Sequence, residues 1–138
     1  MAKPNPHAGL VIRYDYLWKS EQIKGREEGS KYRPCAVVVV IDGSRALVCG
    51  ITHSAPDSPD DGVEMPPRQR AALRLDDERQ WVVTSEANIV DWDDPGIVPL
   101  DSGAWSYGEL TRDFAEEVRN GALRNLDQKR LKMIERGL

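Results

Sequence analysis

The sequence predicts a mainly β fold with some helix: a small, strongly curved antiparallel sheet or barrel carrying C-terminal helices. Three observations predict it. Short apolar runs separated by turn residues fill the chain as far as Trp105. Two of them, "CAVVVVI" and "RALVCGI", are joined by Asp42-Gly43, a strong hairpin signal because a two-residue turn needs positive φ at both positions. After Trp105 the apolar residues instead recur every fourth position, the stripe of an amphipathic helix. Strands first and helices last place the helices on one sheet.

Each element follows from its residues. At 138 residues the chain is expected to be one domain, 1–138. Residues 1–8, with Pro4 and Pro6, read as a flexible arm; 9–105 form the β core and 106–138 the helices. "GLVIRYDYLW" (9–18) is a strand rich in β-branched and aromatic residues. "KSEQIKGREEGSK" (19–31) reads as a long mobile loop, the kind that serves as a lid when it does not simply remain disordered. The two runs around Asp42-Gly43 are apolar on both faces, as central strands covered on each side are. A Pro/Asp-rich loop (54–62) follows, then strands at "GVEM" (62–65), "AALRL" (71–75), "QWVVTSE" (80–86) and "NIVDW" (88–92). Ser106 and Glu109 make a capping-box pattern. Leu110, Phe114, Val118 and Ala122 form the stripe, with a stop near Asn120-Gly121. A second helix is expected over 127–136, with Leu131 and Ile134 inward and Lys129, Arg130, Lys132 and Arg136 outward.

Composition narrows the function classes. Hydrophobic residues at 40% and charged residues at 30% are ordinary for a soluble globular protein, and no apolar run has the length of a membrane span. The N-terminus carries no apolar stretch of the secretory kind, so a cytoplasmic location is expected. A net charge of -4 argues against a general nucleic-acid binder. Its distribution is uneven, however. Acid collects at 56–61, 76–78 and 91–94, while Arg68, Arg70, Arg74 and the C-terminal segment leave room for a local basic groove. Cys35 and Cys49 lie inside apolar runs and read as reduced core thiols. The acidic runs lack the spacing of a calcium loop, and no phosphate-binding glycine loop or nucleophile elbow is present, so neither metal nor cofactor is expected.

One pair of residues stands out. With a two-residue Asp42-Gly43 turn, Ile41 faces Ser44, Cys35 faces Gly50 and Arg33 faces Thr52, so guanidinium and hydroxyl share one face of the sheet. A three-residue turn would pair Arg33 with His53 instead and send Thr52 to the other face. Arginine's planar fork fits phosphate oxygens, and a threonine hydroxyl adds a donor. The plainer alternative has Arg33 closing the strand with a salt bridge and Thr52 bonding local backbone. Trp18, Trp81, Trp92 and Trp105 could stack bases, although tryptophan at strand ends commonly serves the core.

Taken together, the chain resembles the MazF/PemK family of toxin endoribonucleases from about Gly9 to Trp92, and more loosely through the helix after Ser106. The motifs fall in family order: Gly9 opening a strand, "EQ" (Glu21, Gln22), "RP" (Arg33, Pro34) before an apolar strand, "GITHS" after the hairpin, and "WVVTSEANIVDW". That resemblance implies an SH3-like barrel with a C-terminal helix, shared with the related gyrase-poisoning toxins and usually found as a homodimer. It implies metal-independent, sequence-selective cleavage of single-stranded RNA, the 2′-hydroxyl attacking the adjacent phosphate to leave 2′,3′-cyclic phosphate and 5′-hydroxyl ends. Arg33 and Thr52 match the catalytic pair. Guanidinium groups are poor bases, so His53 is the attractive proton acceptor, imidazole titrating near neutrality. Glu21, Ser54, Arg68, Arg70 and Glu86 are assigned to RNA binding. A cognate antitoxin would be the protein partner, with no membrane involved. Two rivals stand beside this reading: a non-catalytic toxin that binds DNA gyrase, to which the basic segment 127–136 lends weight, and an inert SH3-like interaction domain.

Overall fold

The computed structural model describes residues 2–26, 29 and 31–136. In chain order they form β1 (Leu10–Tyr14), α1 (Lys19–Ile23), β2 (Arg33–Asp42), β3 (Arg45–Thr52), β4 (Gly62–Glu64), α2 (Pro67–Ala72), β5 (Trp81–Val83), β6 (Glu86–Asp91), β7 (Ile97–Val98), β8 (Gly108–Glu109), α3 (Arg112–Asp127) and β9 (Lys132–Glu135). Among the described residues the fold is mainly β: one nine-stranded sheet with three helices, antiparallel except where β9 joins β6 in parallel. The central path runs β4-β5-β3-β2-β1-β7, with β6 sharing the outer edge of β3 with β5, and β8 sharing that of β1 with β7. The sheet stays open rather than closing into the expected barrel. No helix among the described residues is long and apolar enough to cross a membrane.

The β2–β3 hairpin is the centre, and its turn differs from the expected one. Asp42 pairs with Arg45, so the turn residues are Gly43 and Ser44 rather than Asp42 and Gly43. The Asp42 carboxylate decides this. Its Oδ1 accepts from Ser44 N (2.8 Å), Ser44 Oγ (2.9 Å) and Arg45 N (3.0 Å), bonds an aspartate makes from the position before a turn. Two bulges, between Val37 and Val39 and between Val40 and Asp42, each shift the register by one residue. Together they restore, at the far end, the predicted pairing of Cys35 with Gly50. The first bulge also sets Val38 and Val39 toward the same core, which straight alternation would forbid.

Both sheet faces are covered. Val11, Ala36, Val38, Leu47, Cys49, Ile51 and Val82 pack under Phe114, Val118 and Ala122 of α3. On the other face Ile12, Tyr14, Tyr16, Cys35, Val37, Val48, Val90 and Trp92 form a second core that loops close over. Cys35 and Cys49 are free and buried, and burial pushes the Cys49 thiol up to about 12, so both are inert packing residues. Residues 2–7 carry no regular secondary structure, yet they are tied down: Trp92 Nε1 donates to Pro4 O (2.7 Å) and the Lys3 ammonium to Trp92 O.

Five further expectations are corrected. The 71–75 strand gives way to α2, because Pro67 sits at the first helical position, where its missing N–H costs nothing. The polar segment 19–31 opens with α1 instead of running as loop; Glu27, Glu28 and Ser30 within it, like Met1, Gly137 and Leu138, lie outside the described residues. Ser106 does not cap the long helix: Gly108–Glu109 pairs with β1 first, and Thr111 caps α3 by accepting from Phe114 N (3.3 Å). Gly121 does not stop α3, which continues to Asp127. A Cβ there would stand 3.3 Å from Thr84 Cγ2, so this glycine lets the helix approach the sheet closely. Finally, 127–136 holds no second helix. Lys129 adopts φ 59 and turns the chain back, and Lys132–Glu135 adds to β6 as β9. Ile134 still points inward at 2% exposure, by a strand's alternation rather than a helix's period.

Candidate functional site

Arg33 opens β2 opposite Tyr14 of β1. The last β2–β3 pair is Cys35 with Gly50, as the hairpin count predicts; the ladder ends there, and its alternation carried on by two residues would set Arg33 opposite Thr52. Against Gly50 lies Trp18. Gly50 leaves space for its indole: a Cβ on Gly50 would stand 2.7 Å from Trp18 Cη2. The Arg33 guanidinium lies over the indole, its Cζ 4.9 Å from the ring centroid, and Tyr16 meets the ring edge-on at 4.6 Å. Arg33 has no ion pair among the described residues, and its Nε is buried without a hydrogen-bond partner. Among the described residues, the salt-bridge alternative for Arg33 finds no partner. Thr52 does bond local backbone, its Oγ1 accepting from Ser54 N (3.1 Å), which leaves the hydroxyl proton free to donate elsewhere.

Two glutamates hold this platform in place. Trp18 precedes the first turn of α1, and its N–H donates to Glu21 Oε1 (3.1 Å). The next N–H, of Lys19, donates to Glu86 Oε1 (2.9 Å), so a carboxylate from β6 satisfies a free amide at the helix start. Leu17, just before Trp18, is fixed by Asn88: its N–H donates to Oδ1 and its C=O accepts from Nδ2, both at 2.9 Å. Glu21 and Glu86 thus belong to the Arg33 site, but as supports for the tryptophan.

Burial pushes the Glu86 pKa up, against the Lys19 N–H bond and the Lys132 and Lys19 charges that lower it. A folded pKa above the unfolded one means its contribution favours the fold in acid and is lost as pH rises through the folded value. Glu86→Gln keeps an acceptor for Lys19 N and removes the buried charge. It is expected to raise the thermal midpoint at pH 7, the gain fading as pH falls through the raised folded value and gone below the ordinary glutamate range. A lower midpoint at pH 7 would show the carboxylate to be stabilising instead.

The remaining predicted residues gather elsewhere. His53, one residue past β3, lies with Nε2 2.8 Å from Asp76 Oδ2 and 3.6 Å from Glu78 Oε2. Burial works to raise the Asp76 pKa, but hydrogen bonds from Glu78 N–H and His53 outweigh it and hold the carboxyl low. Arg70, on α2, faces the same Asp76 and Glu64 carboxylates, while Arg68 is exposed on that helix. Ser54 is exposed beside Thr52. So Arg33, Glu21 and Glu86 gather around Trp18, Thr52 ends the adjoining strand β3, and His53 with Arg70 forms an acidic group beyond it.

A cleft of about 1080 Å³ borders the first group through Leu17, Gln22 and Tyr32 and is otherwise lined by Asp15, Asp91, Asp93, Asp94 and Glu135 beside Arg26 and Arg136. Neither Arg33 nor Thr52 lines it, and its carboxylates would repel a polyanion. The residue missed in the sequence is Trp18 as platform. Its signal was Gly50, a glycine inside an otherwise apolar strand, which marks close approach of another group. No family model matches the chain, and no curated protein matches it either.

Proposed function

We propose that this chain is the toxin of a type II toxin–antitoxin system, a metal-independent endoribonuclease that cuts single-stranded RNA at selected sequences. One observation supports the reading most: an arginine laid on a tryptophan, with no carboxylate partner among the described residues, at the start of a strand whose neighbour ends in a threonine. Cations in proteins are ordinarily paired, and an unpaired guanidinium beside a hydroxyl donor suits a phosphate group. In this reading the 2′-hydroxyl of RNA attacks the neighbouring phosphate. Arg33 and Thr52 donate to the oxygens on which charge builds, where fixed donors lower the barrier most. Trp18 holds the guanidinium flat and offers its exposed part to a base. His53 accepts the proton through Nδ1, the ring nitrogen that Asp76 leaves free. An SH3-like type of fold, a homodimer, and an antitoxin segment occupying the RNA groove belong to the same proposal. The gyrase-binding rival drew on a basic helix over 127–136, and that segment carries a strand instead.

The test is direct. Purified protein is incubated with a random-sequence single-stranded RNA pool in excess EDTA, and the fragment ends are determined. Cleavage at a restricted set of sequences is expected, leaving 5′-hydroxyl ends that a kinase labels without prior phosphatase and 3′ ends blocked as cyclic phosphates. An uncut pool, or cutting that requires added metal, would overturn the reading.

A further inference from the structure

Three donor atoms converge at the end of β3, outside the Arg33 platform. His53 Nε2 stands 2.8 Å from Asp76 Oδ2 and 3.6 Å from Glu78 Oε2, and the three lie within 4.8 Å of one another. Neighbouring ligands of a tetrahedral zinc ion, with bonds of roughly 2.0–2.2 Å, stand about 3.3 Å apart. The two histidine–carboxylate separations bracket that distance.

The surroundings are built rather than incidental. Pairing of Thr52 with Trp81 joins the end of β3 to the start of β5, which fixes His53 against the 76–80 loop. Asp76 is clamped by its other oxygen: Oδ1 accepts from Glu78 N (3.0 Å) and from Gln80 Nε2 (3.2 Å), leaving Oδ2 turned to the imidazole. Gln80 is only 3% exposed, so a buried amide spends a donor on aiming this carboxylate. Hydrogen bonds of that kind orient ligands at metal centres.

We propose that His53, Asp76 and Glu78 form a three-ligand site for a divalent transition metal of the zinc type, its fourth position open to solvent. One imidazole with two carboxylates suits zinc and its neighbours; calcium takes six or more oxygens, and magnesium dehydrates reluctantly. The bound ion ties the end of β3 to the loop between α2 and β5. Coordination through Nε2 leaves the imidazole proton on Nδ1, so a loaded site takes His53 out of any proton-accepting role. The site stands independently of the ribonuclease reading, because its test measures binding.

Chelator-treated full-length protein is titrated with zinc chloride by calorimetry, and its thermal midpoint is measured with and without the metal. One zinc per chain is expected, with a midpoint raised by several degrees at saturating metal. His53→Ala and Glu78→Gln are each expected to weaken binding at least about tenfold and to abolish the midpoint shift. His7→Ala, at the other histidine, leaves both unchanged. All three ligands are exposed, so these variants keep the fold, which circular dichroism verifies. Absence of zinc binding, binding undiminished in both ligand variants, or equal affinity for magnesium would each overturn the proposal.

Discussion

Arg33→Met is expected to lower RNA cleavage at least about 10³-fold while leaving the protein as stable as the wild type or slightly more so. Loss of one fixed donor to a developing oxyanion costs about 10²–10³ in rate, and a guanidinium supplies charge and a second donor besides. Stability responds differently. The contact with the Trp18 ring contributes about 0.5–2 kcal/mol. Against it stands a buried Nε without a partner, a desolvation cost of about 1–3 kcal/mol. Methionine has no polar atom to desolvate and still packs on the indole, so the two terms cancel or favour the variant. Arg33→Lys keeps the charge but not the planar fork and falls between wild type and Met in rate. Initial cleavage rates and urea denaturation, run on the same preparations, decide it. A stability loss above about 2 kcal/mol with cleavage intact would make Arg33 a structural cap.

How far the sequence reaches can be judged from particular residues. The runs of β2 and β3 are legible because a strand covered on both faces must be apolar throughout, and the Arg33–Thr52 alignment follows from counting down the ladder. That count reaches the right Cys35–Gly50 pairing by compensation: the turn moves to Gly43-Ser44, and two bulges take up the difference. Bulges leave little local mark in a run of four valines, since any valine fits either core. β9 is illegible for another reason. "LKMIER" fits a short amphipathic helix as well as a strand, and the open edge of β6, distant in sequence, selects the strand. The helix start at Pro66-Pro67 was readable from local rules. The Trp18 platform was not, because it needs Gly50, Glu21 and Glu86 from three separate segments.

Asn88→Ala is expected to produce the largest loss of stability of any change near the site, about 3–5 kcal/mol, from two stranded backbone groups and a small cavity. β1 ends at Tyr14, and beyond it Leu17 has no strand partner. The Asn88 amide stands in for one, fully buried, donating to Leu17 O and accepting from Leu17 N. Its Oδ1 also accepts from Arg136 Nη1 (3.0 Å), whose guanidinium is closed in by Asp15. Alanine leaves all three groups without that partner, the two of Leu17 buried, and an unmet buried polar group costs about 1–3 kcal/mol. Asn88→Asp tests the accounting. It retains an acceptor for Leu17 N and for Arg136, lacks only the donor to Leu17 O, and is expected to lose less than alanine does. Urea unfolding curves of the two variants check the order, and a loss below about 1 kcal/mol for alanine would mean that water replaces the amide. The same change reaches the site through one covalent step. Leu17 is bonded to Trp18, so loosening it frees the indole from Gly50 and takes away the surface on which Arg33 lies. Cleavage by the folded fraction of Asn88→Ala should therefore fall as well, with the fall shared between rate and RNA affinity, whereas Arg33→Met acts chiefly on rate.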